Sequence, residues 1–401
     1  MENKLFKSDL KLGEDSKKRI YATLISFTLF LAFSGCETNA PDMSSETNTN
    51  ITGKQFKTST NFTQVNLVSD VAGYDAQNLD PNLVNAWGFA FSSGAPVWIS
   101  AADTGVSPIY NQNGGTVRPP VPVTFGSGAG SPTGQVFNST NSTTAFVISG
   151  SGKVSRFIFV TENGTVAAWG AGDATTTTVA DRSGAGAVYK GVELVNNDGK
   201  WFLYATDFHN GKVDIFDQNF TFVGNNMFAD PKIPWGYAPF NIRKIGNRLF
   251  VTYAKQLAPD NEDDEAGPGH GYVNVFNLSG QLKQRFASEG TLNSPWGIEQ
   301  MKYVSEFELA PVTPPAQETI LIGNFGDGRI NAYAGNGKFL GQLQKNGSPL
   351  EIEGLWQISY PPQENAAYKD YLNRLYFTAG PDGEEHGLYG YITAESKKDS
   401  K

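Results

Sequence analysis

Cysteine is nearly missing from this 401-residue chain: Cys36 is the single one, and histidine follows with three. One cysteine excludes a disulfide framework and any metal site built on paired thiolates. Basic charge is also in deficit. Lys and Arg number 31 against 40 Asp and Glu, a formal charge of −9, and without clustered cations to neutralise phosphates the chain is not a nucleic-acid binder. Helical spacing is absent too, since no window beyond the N-terminal region keeps its apolar residues on one helical face. No G-x-S-x-G elbow offers a serine nucleophile. The glycine-rich run Gly126 to Gly134 lacks the Lys-Ser/Thr ending of a phosphate loop and precedes a strand. What is abundant is glycine, at 44 residues, and aromatic side chains, at 12%, which suits short strands joined by tight turns.

Those strands repeat. Trp201 to Asp217 opens with the apolar run Trp201 to Ala205, breaks at Asp207 to Gly211, then alternates through Val213, Ile215 and Phe216, the pattern of a β-hairpin. Pro96 to Gly114, Arg156 to Trp169, Thr319 to Gly337 and Arg374 to Ile392 repeat it. A sixth copy joins Arg248–Gln256 to Gly271–Gly280 across an acidic insertion. A further short strand precedes most hairpins, marked by Trp87, Val136, Val192, Ile242, Ile298 and Trp356 at intervals of roughly 50 to 60 residues, which is propeller-blade spacing. One hairpin cannot bury its own apolar face, so such units stack around an axis and close.

The expected fold is therefore all-β, a six-bladed β-propeller of four-stranded antiparallel blades over residues 61–393, with the strand Thr63 to Ser69 completing the last blade. Gly88, Gly191 and Gly297 fall where inner strands crowd the axis. Their neighbours Trp87, Trp296 and Trp356 either pack between blades or line a binding funnel, and packing is the reading adopted. The proline-rich segments Arg118–Pro122 and Pro311–Pro315 are expected to be surface loops.

The N-terminus is different. Lys17-Lys18-Arg19 precede an apolar run of about 14 residues, Ile20 to Phe33, too short to span a bilayer, and Ser34-Gly35-Cys36 follow. Residues 1–36 resemble a bacterial lipoprotein signal, which implies lipidation of Cys36 and a place in the bacterial cell envelope. Residues 37–60, rich in Ser, Thr and Asn, are read as a flexible tether and 394–401 as a disordered tail.

All three histidines, His209, His270 and His386, fall between the second and third strands of a blade, and propeller geometry sends these loops to one face. The same loops carry Asp103, Asp207, Asp263, Asp264, Glu265, Asp327, Asp382, Glu384 and Glu385. Imidazole and carboxylate are ligands for a divalent ion such as calcium, so a metal or ligand site is one reading of this face; polar residues that merely cap turns are the other.

Pro81–Phe91, Ala205–Asp217, Gly269–Gly280, Asn293–Met301, Leu321–Tyr333 and Glu384–Ile392 together resemble an uncharacterised family of exported bacterial propeller proteins, some of which end in a PEP-CTERM sorting tail. More distantly the hairpins are similar to NHL repeats and to calcium-dependent lactonases. The resemblance implies fold and compartment and carries over no catalytic residue. The expectation is a monomeric, lipid-anchored propeller that binds a protein or glycan partner through its loop-rich face. The alternative is a metal-dependent, lactonase-like hydrolase of small sugar lactones or esters, recognisable by carboxylates or histidines reaching the axis from several blades.

Overall fold

The computed structural model describes residues 61–92, 94, 96–301 and 318–394. The leader with Cys36, the tether, residues 395–401 and Pro311–Pro315 lie outside the described residues. Within them the chain builds six blade sheets, antiparallel but for one parallel pair in blade six, and two small ribbons; the innermost blade strands face a common axis: Ala86–Phe91, Pro132–Phe137, Tyr189–Asn197, Tyr237–Ile245, Pro295–Gln300 and Leu355–Ser359 in blades one to six. Each inner strand packs on the inner strand of the next blade, and the sixth returns to the first. The protein is a six-bladed β-propeller.

The glycines explain how the strands approach so closely. A Cβ on Gly88 would sit 2.6 Å from the Thr133 carbonyl oxygen, and one on Gly191 would sit 2.8 Å from Asn241 Cα. Both are closer than real Cβ contacts permit, so adjacent blades meet backbone to backbone there. At the seam between blades six and one a side chain does the joining. Gln357 Oε1 accepts from Phe89 N at 2.8 Å while its Nε2 donates to Phe89 O at 2.8 Å, imitating one rung of a sheet.

Closure comes from the N-terminal strand Phe62–Ser69, which pairs antiparallel with Leu388–Ala394 as the fourth strand of blade six, with the short Asn78–Leu79 added parallel at its edge. Its Phe62, Leu67 and Val68 are buried, so the clasp is apolar as well as hydrogen-bonded. The apolar cores lie between blades; one of them joins Val136, Ile158 and Val160 of blade two to Tyr189, Val192 and Leu203 of blade three.

One strand expectation is corrected. Arg118–Pro122 is not a loop: Thr116–Pro122 is the outer strand of blade one, paired irregularly with Val106–Tyr110. An edge strand needs ladder partners on one side only, and proline is tolerated there. The outer strands of blades three and five are short, Phe222–Gly224 and Phe339–Gln342.

Candidate functional site

Each inner strand is bulged near its start, at Trp87, Thr133, Lys190, Phe240, Trp296 and Trp356. A bulge re-aims a side chain, and here the aromatic members converge. Trp87 stacks on Trp356 with centroids 3.4 Å apart and meets the edge of Trp296 at 6.0 Å, while Phe325 stacks on the other side of Trp356 at 4.0 Å. The three tryptophans are 1–2% exposed. They form a plug within the ring and do not line an open funnel.

The second strand of each blade ends with an equally regular device. The amides of Ala102, Glu162, Phe208, Gln256, Phe325 and Gly380 donate to the residues that lead into the inner strands: Asn85, Ser131, Val188, Gly236, Ser294 and Gly354. These positions crown the plug from the loop-rich side. In two neighbouring blades the apolar pattern is broken by charge. Lys190 stands where blades one, four, five and six place an aromatic ring, and Glu162 where blades three and five place phenylalanine.

Lys190 and Glu162 form an ion pair on the plug, with Lys190 Nζ 4.9 Å from the Trp87 ring centroid and 3.5 Å from Asp263 Oδ1. The Lys190 side chain is 2% exposed. Burial opposes its charge, but the Glu162 carboxylate, helped by Asp263 and Glu384, holds its pKa above the usual lysine value. Glu162 is also penalised by burial, and Lys190 with the Ser131 hydroxyl more than offsets this, leaving it below the usual range.

Around this pair the loops add further carboxyls. Glu384 accepts from Asn85 Nδ2 at 2.8 Å; burial pushes it up to about 7, against the pull of Asn85 and Lys190. Asp264 is raised by burial, and its Oδ2 makes no hydrogen bond of ordinary geometry among the described residues. Asp103 is raised by burial as well, despite a bond from Asn85 Nδ2 at 3.3 Å. Asn85 and Glu384 both hold left-handed backbone, φ 49° and 73°, a cost that side chains other than glycine bear where the surroundings demand it. Blades one, two, three, four and six thus bring polar groups to one mouth of the axis.

The residues singled out in the sequence divide into two sets. Asp103 belongs to this mouth, as do Asp263, Asp264 and Glu384 from the same loops. Asp207 is buried and organises its own turn, accepting from Val188 N, Asn210 N and Asn210 Nδ2. Asp327 does the same for Asn324 and Arg329. His209 and His270 bond the carbonyls of Asp260 and Glu265 at 2.9 and 2.8 Å. His386 pairs with Asp70 Oδ2 at 2.9 Å, a bond that raises its pKa. Asp382 and Glu385 are exposed nearby on the blade-six loop. The three histidines are not brought together. Among the described residues no group of three or more His, Cys, Asp or Glu side chains is arranged to hold a metal ion.

Lys190 and Glu162 escaped sequence reasoning although a signal was present. Aligning the inner strands as AWG, PTG, YKG, PFN, PWG and LWQ puts one lysine in a largely aromatic column.

No protein-family model matches the chain. It is 32% identical over 331 residues to the uncharacterised protein R648 of Acanthamoeba polyphaga mimivirus, a match covering 79% of this chain and 76% of that protein. A second mimivirus protein, the uncharacterised L690, is 37% identical over 216 residues, 52% of each chain. Among solved structures, an auxiliary nutrient binding protein from Bacteroides ovatus aligns with a TM-score of 0.50 at 12% identity, over 84% of this chain and 78% of that one. At such identity the likeness concerns the propeller fold alone.

Proposed function

The chain belongs to the family of the mimivirus protein R648, and on that premise we propose that it is a binding propeller whose loop-rich face engages a protein partner with a basic surface. The observation that carries this reading is the charged group on the axial plug. One ammonium, Lys190, is set among Glu162, Asp263, Asp264, Glu384 and Asp103, so the centre of the face is net anionic. A buried ion pair adds little to stability compared with apolar residues of the same size, and its presence in an apolar layer points to recognition.

An apolar anchor lies on the same face. Trp235 is 98% exposed and Leu257 49%, and they flank the hydrogen bond from Gln256 N to Gly236 O at 2.7 Å. An exposed tryptophan beside a charged centre has the composition of an interface hot spot. Capture on the immobilised full chain tests the reading. A discrete partner should bind, weaken as salt is raised, and lose about 30-fold or more in affinity with Trp235→Ala, the effect of about 2 kcal/mol. Capture unchanged by that substitution would count against it.

Hydrolysis of small sugar lactones or esters is a second reading, favoured by Glu384 near neutrality beside the anionic Glu162, a separation suited to acid–base work. Acid release from a lactone panel, lost in Glu384→Gln, tests it; a panel with no turnover sinks it. Attachment to a cell envelope through lipidated Cys36 is also proposed, supported by the leader pattern alone. Labelled palmitate should enter the wild-type chain and not the Cys36→Ala variant.

A further inference from the structure

At the opposite mouth of the axis the ring opens again. Below the tryptophan layer lies a cavity of ≈ 20 Å³, room for about one water, and beyond it a recess of ≈ 230 Å³. The two share Gln135, Arg243 and Gln357, which form a polar floor. Phe89, Phe91, Phe137 and Tyr360 supply aromatic walls, with Ser139 and Glu364 among the residues that complete the lining.

The floor is unevenly satisfied. Gln357 spends both ends of its amide on Phe89. Gln135 donates to Gly88 O and Trp98 O, yet its Oε1, in a residue 6% exposed, has no partner among the described residues. A buried acceptor left without a partner is costly, because it gives up its water and gains nothing in return. Beside it Arg243 uses Nη2 on Ser359 Oγ at 3.2 Å and Glu299 Oε2 at 3.5 Å, and a guanidinium carries five N–H donors. An unused acceptor and spare donors therefore line the same recess beneath aromatic walls.

We propose that this recess is a binding site for a neutral saccharide of one or two units. Hydroxyl groups both donate and accept, so one sugar edge answers Gln135 Oε1 and Arg243 together, and its C–H face lies on an aromatic ring. Anions are disfavoured, because Glu193, Glu299 and Glu364 outnumber Arg243 around the floor. The volume is below that of drug-sized pockets, which limits the ligand to a small sugar. None of these residues belongs to the loop-rich face, so this site and the protein-binding reading stand or fall separately.

Calorimetric titration of the full chain with glucose, galactose, mannose, N-acetylglucosamine, maltose and cellobiose tests the proposal, with sodium gluconate as the charged control. Saturable binding of at least one neutral sugar, with gluconate weaker, is expected. Ser139 is exposed, so Ser139→Trp fills the recess without disturbing the core and should lower affinity about tenfold or more at an unchanged melting temperature. Gln135→Met, which removes the acceptor, should lose up to about tenfold, one hydrogen bond's worth. If Gln135→Met does not fold, Ser139→Trp decides. No binding by any sugar, equal binding of gluconate, or binding untouched by Ser139→Trp would overturn the proposal.

Discussion

Lys190 replaces an aromatic ring at the axis, and its charge is tolerable because Glu162 faces it. Removing one partner leaves the other charge desolvated. Lys190→Met should therefore destabilise by about 3 kcal/mol, near the low end for a broken buried pair because Glu162 keeps some exposure. Lys190→Met with Glu162→Leu should recover most of that loss, since it extends the apolar layer. Denaturant unfolding of wild type and the two variants checks this, and a double variant as unstable as the single would show that the pair is not the reason. Glu384 makes a second case. Its folded pKa, about 7 against an ordinary 4.5, lies above the unfolded one, so its contribution is fully present below about pH 4.5 and is lost as pH rises through 7. Glu384→Gln keeps the Asn85 contact and removes the titration. Relative to wild type it should gain on the order of 2 kcal/mol between pH 4.5 and 8, discounted for partial exposure. A stability difference that does not vary with pH would contradict the assignment.

The inner strand is the element that sets the design: in four blades a left-handed residue at its entry, Asn85, Gly236, Ser294 or Gly354, then a bulged residue aimed at the axis, then glycine, or Asn241 and Gln357 in blades four and six, where the next blade touches. The hairpins were legible in the sequence as short apolar runs broken by polar turns, because the middle strands of a blade are buried on both faces between its neighbours. The edge strand Thr116–Pro122 was not legible, since its prolines mimic a loop and its pairing is irregular. Lys190 was hidden for a different reason: reading strands singly does not compare columns between repeats, and only the column makes a lysine exceptional. Asp207 and Asp327 attracted notice as polar loop residues, yet local turn hydrogen bonds account for both. The closing strand Phe62–Ser69 buries Phe62, Leu67 and Val68. At about 1.5–3 kcal/mol for each buried side chain, deleting residues 61–70 should cost on the order of 5 kcal/mol and lower the melting temperature by about 10 °C or more. An unchanged melting temperature would mean that the ring closes without it.

At the scale of the molecule, the ring is a spacer with two unlike mouths separated by a tryptophan layer. One mouth carries the Lys190 group and its surrounding loops, with Trp235 on the connection into blade four. The other holds the recess above Gln135 and Arg243. The repeats, through spacing, made the ring readable; the chemistry of the mouths depends on which blades depart from the repeat, and that emerges once the blades are superposed around the axis. Placing a photo-crosslinking residue at position 235 of the full chain in cells that express it, and in a second protein at the outer-strand position 282, tests the central claim most directly. A discrete adduct from position 235 that is missing from position 282 is the expected result. No adduct at 235, or the same adduct from both positions, would contradict the assignment of the loop-rich face as the binding face.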